Sequence, residues 1–103
     1  TCGMLSYAID DARTKLRRAA NEADFENAKD YARQARNALD DAAMAAMDCE
    51  CTIAYNDFDT AASRARRARD ADTVEEVVDS LTRTCRSFNS ALDAIRACSS
   101  ERR

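Results

Sequence analysis

A chain with no proline and a single glycine, Gly3, has few ways to turn a tight corner. Sandwiches and barrels need those two residues at positive φ and at sharp bends between strands. Their near absence, with alanine, arginine and aspartate abundant and strand formers sparse, selects helices joined by plain polar loops. At 103 residues, 34% charged and 46% hydrophobic, the chain is expected to form one alanine-rich helical domain spanning residues 1–103.

The apolar residues recur with the alternating four- and three-residue spacing that keeps them on one helix seam. Four stripes emerge. The first is Cys2, Leu5, Ile9, Ala12, Leu16, Ala19 and Ala23; the second is Ala28, Ala32, Ala35, Leu39, Ala42, Ala46, Cys49 and Ile53. The third is Met47, Cys51, Ala54, Phe58, Ala61, Ala65 and Ala68; the last is Val74, Val78, Leu81, Cys85, Phe88, Leu92, Ile95 and Cys98. Asp24 caps the start of one helix and Thr73 another, where Thr73-Val74-Glu75-Glu76 reads as a capping box with Glu76 reaching back to the cap. The first connection then falls near residues 21–23 and the last near 70–72, both short enough to make their flanking helices antiparallel neighbours.

Between Met47 and Ile53 stripes two and three overlap, and no glycine or proline marks a break. A turn between Asp48 and Asp57, with Asn56-Asp57 able to cap a new helix before Phe58, gives an all-α, up-down-up-down antiparallel four-helix bundle. The alternative is one long central helix with two terminal helices docked on its halves.

Ala23-Asp24-Phe25-Glu26-Asn27-Ala28 is echoed by Asn56-Asp57-Phe58-Asp59-Thr60-Ala61, and Ala32, Arg33, Ala35 and Arg36 by Ala65, Arg66, Ala68 and Arg69. The offset is similar to that of tetratricopeptide repeats, in which the second helix often opens with an acidic-aromatic turn. The Trp-Leu-Gly-Tyr signature and closing proline of that family are absent, and no peptide-binding function follows from the likeness.

Five cysteines are many for this length. Cys2 opens the first helix, Cys49 and Cys51 sit at the proposed central turn, and Cys98 closes the last helix. Either architecture brings one terminal cysteine close to each member of the central pair, so two disulfides are expected, with the partner choice left open. Cys85 lies roughly 20 Å from Cys98 along a helix and is expected to be a free, buried thiol acting as a small core residue. Alanine seams bury little area, and two staples would support such a thin core. Disulfides place the chain in an oxidising compartment, periplasmic or secreted. The sequence opens at Thr1 and not at a methionine, so it is expected to be a processed or trimmed product from which any signal peptide has already gone. The rival use of Cys2, Cys49, Cys51 and Cys98 is a thiolate site for copper(I) or zinc. On a continuous helix residues i and i+2 point about 200° apart, so that site needs the backbone to unwind between Cys49 and Cys51.

Catalytic signatures are missing. Without histidine there is no Ser-His or Cys-His pair, and without glycines no phosphate-cradling loop. Asp40, Asp41, Asp48, Glu50, Asp57 and Asp59 crowd a stretch from 38 to 60 with no lysine or arginine, but lack the ligand order and glycine of a calcium loop and the Glu-x-x-His of a di-metal bundle. A net charge of −3 argues against nucleic acid as partner. Arg64, Arg66, Arg67 and Arg69 are followed at once by Asp70, Asp72, Glu75 and Glu76, with no aromatic among them for base stacking. Phe25 and Phe58 are expected to pack the bundle ends and Phe88 its core. No apolar run is long enough to span a bilayer. The chain is therefore expected to be a non-enzymatic protein that needs no cofactor, with a structural or protein-interaction role through a protein partner or self-association; the alternative is the thiolate metal carrier.

Overall fold

A computed structural model describes residues 2–101. Four helices run α1 (Gly3–Asn21), α2 (Phe25–Asp48), α3 (Thr52–Arg69) and α4 (Val74–Glu101), folded up and down into an all-α bundle with Cα extents of 45 × 18 × 17 Å. The break at residues 49–51 excludes the long central helix.

Capping fixes the two loops at the far end. The Asp24 carboxylate accepts from the Asn27 amide at 2.9 Å, satisfying one of the free donors at the start of α2. The Glu22 carboxylate takes the Asp24 amide at 3.1 Å. At α4, Thr73 Oγ1 accepts from the Glu76 amide at 3.2 Å. The Glu76 carboxylate reaches one residue further back than a capping box requires, to the Asp72 amide at 3.1 Å, and so ties down the loop instead of the cap.

The central turn uses a different device. Glu50 takes φ of 61°, the left-handed conformation that ends many helices. Around it the Glu50 amide donates to Met47 O at 2.9 Å and the Cys51 amide to Ala46 O at 2.9 Å, the paired bonds of a Schellman motif. A glutamate sits where glycine is usual. Helix α3 begins at once, so Asn56-Asp57 lies inside it and caps nothing, and Ile53 faces solvent at 72% exposure.

Alanine makes the seams tight. Helix α1 packs along α2, α2 along α3 and α3 along α4, whereas the α1 and α4 backbones come close over only a short stretch. One core cluster joins Leu5, Ile9, Leu16, Leu39, Phe58, Phe88 and the alanines between them. The other, near the two far loops, is thinner: Ala19, Ala28, Ala32, Ala68, Ala71, Val77 and Leu81. Phe58 is wholly buried in the larger cluster, tilted at 57° against Phe88 with ring centroids 6.1 Å apart, and not at a bundle end. Phe25 remains half-buried at the far end, with the Lys29 ammonium 4.8 Å from its ring centroid.

Helix α4 departs from its apolar stripe. The buried face runs Val77, Leu81, Thr84, Phe88 and Ala91, while Val74 and Val78 are each 58% exposed. Thr84 packs like an apolar residue because its hydroxyl donates to the Ser80 carbonyl at 2.7 Å. Ser87 accepts from the Arg64 guanidinium of α3 at 3.0 Å. Small residues on this side let α4 settle on α3, and the larger aliphatics are turned towards α1.

Candidate functional site at the disulfide-clamped end

Cys2 is the N-cap of α1 and Cys51 the N-cap of α3, and neither start has a side-chain cap. Covalent bonds hold these helix starts instead. Cys2 is joined to Cys49, the C-cap of α2, with Cα atoms 5.1 Å apart; Cys51 is joined to Cys98 of α4, with Cα atoms 5.8 Å apart. Both distances suit a disulfide. Each bond closes the open end of one helical hairpin, α1–α2 or α3–α4, whose loop lies at the other end. Cys49 and Cys51 are buried, Cys98 is half-buried and Cys2 is exposed.

The unwinding that a Cys-x-Cys metal site would need does occur at Glu50, but it sends the two sulfurs to different partners. Their thiols are consumed in bonds to Cys2 and Cys98. Among the described residues no group of three His, Cys, Asp or Glu side chains is arranged to hold a metal ion. The thiolate carrier thereby loses its ligand set.

Cys85 is the free cysteine. It is half-buried and lines the cleft between α1 and α4, not the closed core, because the α4 stripe to which it belongs faces the one loosely packed seam. Burial raises its thiol pKa above the usual value of 9.0.

Charges elsewhere pair locally. Arg13 with Asp10, Arg33 with Asp30, Arg36 with Asp40 and Arg83 with Asp79 are one-turn pairs on exposed faces. Asp30 is held below its ordinary pKa of 3.8 by hydrogen bonds from Arg33 and then Gln34, and Asp70 likewise by Arg69. In the arginine cluster of α3, Arg64 is committed to α4, donating to Ser87 and to the Arg83 carbonyl, and Arg69 to Asp70. Of the acidic stretch, Asp40 is paired with Arg36, and Asp57 and Asp59 lie within α3 away from the turn.

The bundle also contains a repeat that the Phe25/Phe58 echo obscures. The shift that carries Cys2 to Cys51 carries Cys49 to Cys98, and both bonds span the same sequence separation, 47. The same shift carries Ile9 to Phe58, Ala12 to Ala61, Ala19 to Ala68, the cap Asp24 to the cap Thr73, Leu39 to Phe88 and Ala42 to Ala91, all at matching places in the two hairpins. Equal cysteine spacing was the signal for it in the sequence. No protein-family model matches this chain, nor does any curated protein or solved structure.

Proposed function

We propose that this chain is a non-enzymatic protein of an oxidising compartment, periplasmic or secreted, in which a doubly clamped helical bundle serves a structural or protein-interaction role. The observation that carries this reading is the pair of disulfides, each closing one hairpin at the same end of the bundle. Disulfides of this kind persist where thiols are not continuously reduced. They stiffen a core too rich in alanine to be robust alone. No helix among the described residues is long and apolar enough to cross a membrane, which accords with an exported chain.

An interaction role draws support from large apolar side chains that α1 and α2 leave in solvent near the clamped end. Met4, Tyr7, Met44 and Met47 are all exposed. The Cys2–Cys49 bond sets the antiparallel register, so Met4 stands level with Met47 and Tyr7 with Met44. Methionine and tyrosine on a rigid surface suit adaptable protein contacts.

Quenching producing cells with an alkylating agent before lysis tests the compartment. The protein is expected in the exported fraction carrying one alkylated cysteine after denaturation; recovery from the cytoplasm with five would refute the reading. A photo-crosslinker replacing Tyr7 is expected to join the chain to a protein partner or to a second copy, and its failure to form any adduct in that compartment would refute the interaction role.

A further inference from the structure

The two hairpins pack as near equivalents, and the seams between them ought therefore to match. They do not. Where the α2–α3 seam has Ala32, Ala43, Ala46, Ala54 and Ala65, the equivalent places on the α4–α1 side hold Leu81, Leu92, Ile95, Leu5 and Leu16. Bulky residues keep α1 and α4 apart. Towards the far loops α1 then supplies only Ala19 and Ala20, and the loop that follows it Ala23, too small to fill the space that separation creates. The result is an open groove of about 400 Å³, floored by these alanines and Ala28 and walled by Phe25, Val74, Val77, Val78 and Leu81. Its volume is that of a small-molecule site.

The groove is apolar along its length and polar at both ends, with Arg86 and Asn89 at the inner end and Glu22 and Asp24 at the outer one. At the inner end Ala20, Cys85 and Asn89 border both this groove and its continuation towards the disulfides. Arg86 lines the first and Arg17 the second. Arg13, Arg33, Arg36, Arg64, Arg69, Arg83 and Arg96 all have a carboxylate or carbonyl partner; Arg17 and Arg86 have none among the described residues, like the exposed Arg18 and Arg67, but unlike those two they border the α1–α4 cleft. At the opposite end the carboxylates of Glu22 and Asp24 are engaged by backbone amides of the α1–α2 loop. An apolar trough with two unpaired guanidinium groups and an amide at one end is complementary to a ligand with a long alkyl chain and a compact anionic head.

We propose that the α1–α4 groove binds a long-chain carboxylate, its alkyl chain along Phe25, Val74, Val78 and Leu81 and its head at Arg17, Arg86 and Asn89. From Cys85 to Val74 the helix rises about 16 Å, room for an extended chain of the fatty-acid class. Burial of Val74 and Val78 by that chain would remove from water two large aliphatics that the fold leaves exposed.

Cys85 supplies the readout, since it is the free thiol and lines the groove. In the oxidised full-length protein, laurate below its micellar concentration is expected to slow alkylation of Cys85 by about tenfold and to bind saturably by calorimetry. Arg17→Gln combined with Arg86→Gln is expected to weaken laurate by about tenfold or more, the loss of charge-assisted hydrogen bonds, and to leave dodecanol binding unchanged. Ala20→Phe, at an exposed position that leaves the core intact, is expected to abolish binding of both, with circular dichroism confirming the fold. Absence of saturable laurate binding, equal binding of dodecyltrimethylammonium, or unchanged affinity in the arginine double variant would each overturn the proposal. Protection of Cys85 by an amphipathic helical peptide but not by laurate would overturn it in favour of a protein ligand.

Discussion

Replacing both cysteines of one clamp with alanine, Cys51→Ala with Cys98→Ala, removes a cross-link without leaving a stray thiol. The cost follows from the loop the bond closes. A sequence separation of 47 enters the chain-entropy relation to give about 4 kcal/mol at 25 °C. The Cys2–Cys49 pair has the same separation and is expected to cost the same. The two loops share no residue, being the two hairpins, so their contributions should add to about 8 kcal/mol. A domain of this length has a total stability of about 5–15 kcal/mol. Either double variant should therefore remain folded with a much lower midpoint in urea, and the quadruple variant should be largely unfolded at 25 °C. The slope of the transition should also rise, because an uncrosslinked denatured chain exposes more surface. Urea titration followed at the helical circular dichroism signal measures all of these. A loss under about 1 kcal/mol for either pair, or losses that differ severalfold between the pairs, would refute the picture of two equivalent clamped hairpins.

Phe58→Ala empties a wholly buried site against Phe88 and is expected to cost about 3–5 kcal/mol in the same assay, with the transition slope unchanged. Glu50→Gly relieves a side chain of the left-handed conformation and is expected to raise stability by about 0.5–1 kcal/mol, whereas Glu50→Val at the same φ should lower it. Asp30 and Asp70 have folded pKa values below the ordinary 3.8, so their contribution is present above that pH and is lost as pH falls through the folded values. Both are fully exposed, and the acid-induced loss, followed by thermal melts between pH 5 and pH 2, should therefore be small and should shrink further in 1 M salt.

Much of this architecture could be read from the residues alone, for reasons that are local. Asp24 and Thr73 announce helix starts through their own hydrogen bonds, and the four-three spacing of Leu5, Ile9, Ala12 and Leu16 needs no knowledge of the partner helix. The central turn was harder to place because its left-handed position holds Glu50, a residue that carries no turn signal. Helix α4 misleads for another reason. Counting only hydrophobic residues selects Val74, Val78 and Cys85 for the core and omits Thr84, whose hydroxyl is silenced by its own helix. The groove was illegible because Leu81 and Leu92 acquire meaning only beside their alanine counterparts Ala32 and Ala43, and that comparison requires the hairpin repeat. The cysteines were informative by position, yet which terminal sulfur meets which central one depends on the turn at residues 49–51.

The claim on which the account rests is that two self-contained clamps are joined through Glu50. Glutamate-specific digestion of the protein, with Cys85 alkylated and no reductant present, tests it directly by mass. The expected products are peptide 1–22 bonded to 27–50 and peptide 51–75 bonded to 77–101. Peptide 1–22 bonded to 51–75, or 27–50 bonded to 77–101, would mean that the bonds cross between hairpins and would contradict that claim.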